Sequence, residues 1–592
     1  LTRVEVRRTF AQSPDRLWSW LGEPTTYPSF LPEVTRLQPV GHEQHAPGDR
    51  YQLSRRGTAG RPATHLTVEV RDAARRIVLS QGPGDIRRLE FRLRPLHGGG
   101  TEVRFGVETL VSGPVRRLLD SAGAPVLRRW ATRALVRLSH AAEGWPAGHD
   151  ARASRRGHHL VERWRDLRVL VNNGVLRPDR PDRMVRLAGA WWRWGTSLPL
   201  GYTAAAVRHP DRAALIDEHG AVSFAELSER TTRLANALAD RGLGETDAVA
   251  LLCGNHRLLV ELLIACSKLG VRTVLLSPRL NADQVSGLLR EQRARTVVAD
   301  AEYRPLLVRA PRNCQRITAW VDAPTRALTV EQLIADFPAT PLGRKAAEGT
   351  TIVLTSGTGG VARAVPWQDP PRVTPASTVF TRVPLREGER TLMAAPLAHT
   401  RGLSALHLCA VLGATLVLRR DFSPGQALRE AAQHRCTSMF VQPDLLRGLL
   451  DLPPAERLEH DLGSLRAVVS TGAPLPADLA ADFQREFGPL LYNLYGSTDV
   501  SWVSIATPTD LSAAPGTVGR PPRGIRIAIL DEDGNPLPAG REGRIHVGTH
   551  ASHGRHREDV GGEPPFPELV FTGDLGHVDV SGRLFVRGRE RD

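Results

Sequence analysis

A run of small hydroxyl residues and glycines, Thr355-Ser356-Gly357-Thr358-Gly359-Gly360, follows the apolar stretch Thr351 to Leu354. Such a run lets backbone N–H groups and side-chain hydroxyls come close to phosphate oxygens, which is the physics of a phosphate cradle. Alone it is weak evidence, because Gly/Ser/Thr turns between strands are common. Further short motifs follow in order: Pro396-Leu397-Ala398-His399, Ser470-Thr471-Gly472-Ala473-Pro474, Tyr495-Gly496-Ser497-Thr498-Asp499, Thr572-Gly573-Asp574-Leu575 and Gly588-Arg589. Each residue has an ordinary reading: a tyrosine at a core edge, an aspartate capping a turn, a histidine satisfied by backbone. Their joint order outweighs those readings.

The ordered set resembles the core motifs of the adenylate-forming superfamily, which comprises acyl-CoA synthetases, peptide-synthetase adenylation domains and luciferases. The resemblance spans about residues 210 to 592. Asn493 to Asp499 with Pro508, Gly516 to Pro522 and Asp531 to Gly534 are most similar to actinobacterial fatty-acyl-CoA synthetases. It implies attack of a carboxylate, here a fatty acid, on the α-phosphate of ATP. Acyl-adenylate and pyrophosphate result, and the acyl group then passes to coenzyme A.

By the same resemblance Thr498, Asp499, Arg363 and His399 are the catalytic candidates. Thr498 offers a hydroxyl to the α-phosphate, and Asp499 is a hard oxygen ligand for Mg²⁺. Thr355, Ser356, Gly357, Thr358, Gly359 and Gly360 would cradle the phosphates. Tyr495 would present its face to adenine beside Gly496 and a backbone wall of Gly472, Ala473 and Pro474. Asp574 would accept from both ribose hydroxyls, Arg589 would donate to the ribose, and His399 and Gly402 would line the acyl path. Two alternatives stay open: a catalytically degenerate lipid- or nucleotide-binding protein, or activation of an aromatic or polyketide acid.

The chain departs from the family pattern in several places. Where the family commonly reads Thr-Ser-Gly-Thr-Thr-Gly-x-Pro-Lys-Gly, this chain has Gly359, Ala362, Arg363 and Ala364 at the second Thr, Pro, Lys and final Gly. Arg363 keeps the charge, but a planar fork is not a flexible point charge. Asp499 replaces the usual Glu and reaches roughly 1.5 Å less far, one C–C bond. The stretch His553 to Leu569 is atypical and has no assigned part. In the family a lysine-bearing C-terminal domain follows the Gly-Arg-x-x-Asp hinge, and this chain ends at Asp592 within that hinge. Of the two lysines in the chain, Lys268 and Lys345, neither lies downstream of the motifs. A fragment of a longer ligase is the favoured reading, since domain boundaries fall at such hinges.

The elements that must position these residues alternate between helix and strand from about residue 201. Ser223 and Glu226 form a capping box ahead of Leu227, Leu234 and Leu238. A strand is expected at Ala248 to Leu252, a buried helix through Leu258 to Lys268 ending at Gly270, and another strand at Val271 to Leu276. Such repetition predicts an α/β domain with a largely parallel sheet, whose ligands gather at the carboxyl ends of the strands.

Residues 1–145 read differently. Ser13 and Pro14 open a short helix, and alternating apolar residues mark strands at Leu66 to Val70, Leu89 to Leu93 and Val103 to Val107. Leu127, Trp130, Ala131, Ala134 and Leu138 then form an apolar helical stripe. This order resembles the helix-grip domains of the polyketide cyclase and START-like (SRPBCC) superfamily, which enclose a cavity for an apolar ligand; a solid core is the equal alternative.

The expected organisation is therefore multidomain: an α+β helix-grip domain over 1–145, an Arg/Trp-rich linker over 146–200, an AMP-binding α/β domain over 201–520, and a small β-rich subdomain over 521–592. Within the linker, Met184, Val185, Leu187, Ala188, Trp191, Trp192 and Trp194 interleave with Arg183, Arg186 and Arg193. The segment Arg183 to Trp194 suits either peripheral membrane contact or docking onto the next domain, the second being favoured.

The 592 residues carry a net charge of +15, but arginines are strewn through every segment and no recognition motif accompanies them, so nucleic acid is not an expected partner. Five cysteines without paired spacing point to a reduced, cytoplasmic setting. The longest apolar run, Leu258 to Cys266, is short of the ~18 residues of a membrane span. Chain length of the acid and oligomeric state are not legible.

Overall fold

The computed structural model describes residues 2–10, 12–31, 34–41, 46–55, 64–81, 86–96, 100–109, six positions between 128 and 138, 169–177, 179–343, 349–356, 362–367, 379–497, 501–522, 525–548 and 569–590. The chain divides into two compact units, Leu1–Arg165 and Asp166–Asp592.

In the first unit, Ser13 caps the helix Pro14–Leu21 through the Arg16 N–H, and Pro14 occupies its first turn as expected. Seven strands form one antiparallel sheet in the order Thr2–Phe10, Thr101–Thr109, Ile86–Pro95, Arg76–Gln81, Thr64–Asp72, Arg50–Arg55, Val34–Pro39. Alternation puts Leu89, Phe91, Val103, Phe105 and Val107 on one buried face. Phe91 and Phe105 stack there with centroids 4.2 Å apart, and Tyr27 and Phe30 meet Phe91 edge-on. The Tyr27 hydroxyl donates to the Leu21 carbonyl at 2.7 Å, so this ring brings no unpaired polar group into the core. Of the final helical stripe, Ala131, Ala134 and Leu138 are buried in the same cluster, joined by Leu135, while Leu127 and Trp130 lie outside the described residues. The face expected to line or fill a cavity thus carries a packed aromatic cluster.

The second unit holds three sheets. One has the order Gln315–Thr318, Ala294–Ala299, Ala248–Leu252, Arg272–Leu275, Thr351–Ser356, Ala362–Trp367; all pairings are parallel except the last. The strand Ala248–Leu252 is buried at every position, as a centre strand covered on both faces must be. The helix Arg257–Leu269 packs beside it and ends on Gly270, whose φ of 76° suits glycine at the left-handed cap. The Ser223–Glu226 capping box is present at the start of the helix Phe224–Asp240.

An eight-stranded sheet follows the order Ser501–Ala506, Leu491–Ser497, Ala467–Ser470, Ser438–Val441, Arg390–Met393, Thr415–Val417, Ala213–Asp217, Gly220–Ser223, parallel but for its two edge strands. Buried Arg257, at the start of its helix, donates Nε and its backbone N–H to Asp217, which ties that helix to this second sheet. Four antiparallel strands, Arg526–Leu530, Gly543–Gly548, Val570–Val578 and Leu584–Arg589, make the small third sheet.

The stretch expected as a linker is not irregular throughout. It contains the helix Pro181–Trp194 and the first turn of a second, Leu198–Arg208, which runs across residue 201 and buries Leu198, Tyr202 and Ala205. The first of these helices is apolar on two sides. Ala190 and Trp194 are buried, whereas Met184, Val185, Trp191 and Trp192 stand out at 48%, 73%, 63% and 66% exposure. No helix among the described residues is long and apolar enough to cross a membrane.

Candidate functional site

Three of the motifs converge because they lie at or just past the carboxyl ends of neighbouring strands. Arg390–Met393 leads into Pro396–His399; Ala467–Ser470 leads into Thr471–Pro474; Leu491–Ser497 itself carries Tyr495 and Gly496. These strands are parallel members of one sheet, so their ends open on one edge of the body.

The turn before the helix Thr400–Leu412 is held from the other sheet. Asn255 Nδ2 donates to the Ala395 carbonyl at 2.9 Å, and its Oδ1 accepts from the Leu397 N–H at 2.9 Å. His399 sits at the helix N-cap position, its N–H on the Pro396 carbonyl. Burial pushes its imidazole below the usual range, and the charges of Arg279 and Arg401 push the same way. Gly402 does not border open space. A Cβ there would stand 2.0 Å from the Pro396 carbonyl oxygen, so its role is to let the first helical turn lie on the turn before it.

Across the cleft, the Tyr495 hydroxyl donates to Asp574 Oδ2 at 2.5 Å, and Asp574 takes its place from its own N–H on Thr572 Oγ1 at 3.2 Å. Asp574 and Arg589 face one another in the register of the strands Val570–Val578 and Leu584–Arg589, with Arg589 Nε 3.7 Å from Asp574 Oδ1. Burial and the adjacent Asp574 carboxylate raise the Tyr495 phenol well above its ordinary range, so it stays a donor. Gly472 has φ of 105°, and Ala473 and Pro474 follow it at the surface; a Cβ on Gly472 would meet Gln442 Nε2 at 3.1 Å.

Between these two sides lies a cleft lined by Arg401 and Ser404 of the helix, Phe440, Leu494, Tyr495 and Trp502. Arg401 is the residue that sequence reasoning missed. It occupies the first turn after His399 and donates Nη2 to the Gly496 carbonyl at 2.7 Å. Its position two residues after a singled-out histidine was a signal. Phe440 and Trp502 were not findable, because they sit on strands outside every motif.

The remaining candidates lie at or beyond the limits of the described residues. Thr355 and Ser356 end the strand Thr351–Ser356, and Arg363 lies opposite Thr355 on the antiparallel strand Ala362–Trp367. Gly357, Thr358, Gly359 and Gly360, and likewise Thr498 and Asp499, lie outside the described residues, as does His553 to Glu568 of the atypical stretch. The donor expected for Mg²⁺ is therefore among them.

A second polar cluster, Cys253, His256 and Asp300, could offer three ligand atoms within 4.8 Å of one another. The Asp300 oxygens already accept from the N–H groups of Gly254 (2.8 Å) and Trp320 (3.2 Å) and face His256 Nε2 at 2.9 Å. We read this cluster as an internal anchor with its carboxylate satisfied.

The fold and this edge define a nucleotide-handling α/β enzyme that brings an aspartate, a tyrosine and arginines to one cleft beside a β-rich subdomain. Residues 202–552 match the family described as AMP-binding enzyme, and residues 2–143 match the one described as polyketide cyclase / dehydrase and lipid transport. This chain belongs to the AMP-binding enzyme family, and it is an adenylate-forming enzyme of the acid–thiol ligase type. Among similar proteins, the 2-succinylbenzoate–CoA ligase of Bacillus pumilus is 29% identical over 65% of this chain and 76% of its own length. The medium-chain fatty-acid–CoA ligase of Escherichia coli is 27% identical over 67% and 73%. The solved amide bond synthetase McbA of Marinactinospora thermotolerans is 25% identical with a TM-score of 0.56, over 66% of this chain and 80% of its own.

Proposed function

We propose that this enzyme activates a compact, flat carboxylic acid as its adenylate and passes the acyl group to coenzyme A. The observation that carries the reading is the Tyr495–Asp574–Arg589 cluster standing beside a cleft walled by Phe440, Leu494 and Trp502. ATP supplies the electrophilic α-phosphate and the pyrophosphate leaving group. Asp574 offers two carboxylate oxygens to the ribose, and the Tyr495 ring offers a stacking face for the base. The Thr355–Gly360 run with Arg363 serves the phosphates, Thr498 the α-phosphate, and Asp499 the Mg²⁺ that offsets its charge. His399, kept neutral by burial at physiological pH, borders the acid without adding a charge.

Aromatic walls favour an aryl acid over a long flexible chain, because a flat ring fills a narrow slot with little loss of rotamer freedom. The 2-succinylbenzoate ligase relative supports this reading. A fatty acid is the second reading, supported by the Escherichia coli relative and by the lipid-transport family of the front unit.

We take residues 1–145, 146–200, 201–520 and 521–592 as the working parts, in a cytoplasmic protein whose buried cysteines are all free. Peripheral contact with an anionic lipid surface through Met184, Val185, Trp191 and Trp192, flanked by Arg180 and Arg186, completes the proposal.

The test is acid-dependent pyrophosphate release with ATP, Mg²⁺ and a panel running from benzoate and hydroxycinnamates to short and long fatty acids, beside Asp574→Ala. Release that selects one acid class and falls at least about 100-fold in the variant supports adenylation and names the class. ATP binding without release for any acid removes the reading in favour of a nucleotide-binding protein.

A further inference from the structure

We infer that Arg401 holds the carboxylate of the incoming acid at the point where it meets the nucleotide, an inference that rests on the adenylation reading above. The guanidinium is anchored on the nucleotide side by its bond to the Gly496 carbonyl, in the same strand end as Tyr495. It grows from the acid side, on the first turn of the helix that follows His399. Its charge is felt by Tyr495 and Asp574 in one direction and by His399 in the other. Arg401 therefore stands between the two walls of the cleft.

That junction is where charge must be offset. Both reactants are anions, and a carboxylate oxygen has to approach the α-phosphorus before anything else happens. The oxygen–phosphorus bond forms as the bond from the α-phosphorus to the bridging oxygen breaks, and pyrophosphate leaves with that electron pair. No proton is required. A cation at the meeting point lowers the repulsion, and a planar fork with several N–H groups can aim one edge at a carboxylate while another stays on a backbone carbonyl. Burial adds to this, because a guanidinium shielded from water gains more from an arriving anion than an exposed one does.

Lysine does not compete for the part among the described residues. Lys268 is 6% exposed and turned onto the Ser228 carbonyl and the hydroxyls of Thr231 and Thr232, away from the cleft-lining residues.

The experiment compares the full chain with Arg401→Met and Arg401→Lys, using the acid that the pyrophosphate panel ranks first and its primary amide. The amide keeps the shape of the acid and lacks its charge. Affinity for each is measured by competition, with ATP binding and thermal unfolding followed in parallel. Arg401→Met is expected to weaken the acid by about 30- to 100-fold and the amide by less than about threefold, with ATP binding kept. Arg401→Lys recovers part of the loss. Equal weakening of acid and amide would overturn the inference and leave Arg401 as a prop for Gly496. An unchanged affinity for the acid overturns it too. A panel in which no acid is activated by the parent chain speaks against adenylation itself, a separate failure.

Discussion

Lys268 offers the most quantitative test of how this body is built. Its ammonium is buried in the helix Arg257–Leu269 and is met by one carbonyl and two hydroxyls, at 3.1, 2.8 and 2.9 Å. Burial, with a smaller push from the charge of Arg193, carries its pKa from 10.5 down to about 7. Each unit of such a shift corresponds to about 1.4 kcal/mol, so the charged form is disfavoured in the folded state by up to about 5 kcal/mol. Relaxation and water entry bring a working figure to about 2–3 kcal/mol. The sign follows from proton counts. Between pH 7 and 10.5 the unfolded chain binds more protons at this site than the folded one, so this group makes stability rise with pH across that window. Below pH 7 both states are protonated and the penalty is constant.

Lys268→Met fills the same channel without a charge. It leaves no orphan behind, because Thr231 and Thr232 already donate to the carbonyls of Leu227 and Ser228. The variant is therefore expected to be more stable than the parent at pH 7 by about 2 kcal/mol, a rise of roughly 2–5 °C in unfolding temperature. The advantage should shrink toward zero by about pH 10. Parallel melts of parent and variant across pH 6.5 to 10 read this directly, since other titrating groups cancel in the difference. A pH-independent gap would show that Lys268 does not titrate in this window. A variant less stable than the parent at pH 7 would mean that the three oxygens solvate the ammonium well, and the burial argument would fail.

The other predictions concern the cleft and the outer helix. Gly402→Ala must push the first helical turn or the Pro396–His399 turn outward by about 1 Å, given a Cβ at 2.0 Å from the Pro396 carbonyl. Acid-dependent turnover should drop on the order of 100-fold while ATP binding changes little; equal loss of both would mean general unfolding. Replacing Trp191 and Trp192 together by serine should cut co-sedimentation with anionic phospholipid vesicles by about tenfold and leave unfolding temperature unchanged. If the parent chain does not bind such vesicles, or dimerises through this stripe in light scattering, lipid contact is excluded as its purpose.

How much of this was legible in the sequence depends on the range of the interaction that fixes each feature. Capping and turn chemistry are local, so Ser13, Ser223 with Glu226, and Gly270 are where the residues said they would be. The apolar run Ala248–Leu252 reads as a strand buried on both faces because neighbours on either side remove every polar option. The interleaving of apolar residues and arginines marked the segment Arg183 to Trp194, which lies in the helix Pro181–Trp194, but could not say which stripe meets the body. Its apolar residues occupy two faces, and only packing shows that Ala190 and Trp194 turn inward while Trp191 and Trp192 do not.

The same limit governs the cleft. Motif order brought Tyr495, Asp574 and Arg589 forward as a group; pairing across the strands Val570–Val578 and Leu584–Arg589 sets Asp574 against Arg589, while Tyr495 reaches Asp574 from a strand of the eight-stranded sheet. Asn255, 140 residues from Ala395 in sequence, pins the His399 turn through two hydrogen bonds that no spacing rule connects. Gly402 was expected to line the acyl path, and packing adds that it is a point of close backbone contact with Pro396. Arg401 is the sharpest case, since in a chain strewn with arginines its place two residues after His399 was a faint signal. What singles it out is that its helix starts at one wall of the cleft and its guanidinium ends on a carbonyl of the other. A cation fixed across the gap between two anionic reactants is a feature of tertiary placement, and the acid-against-amide comparison reads that placement without relying on any motif.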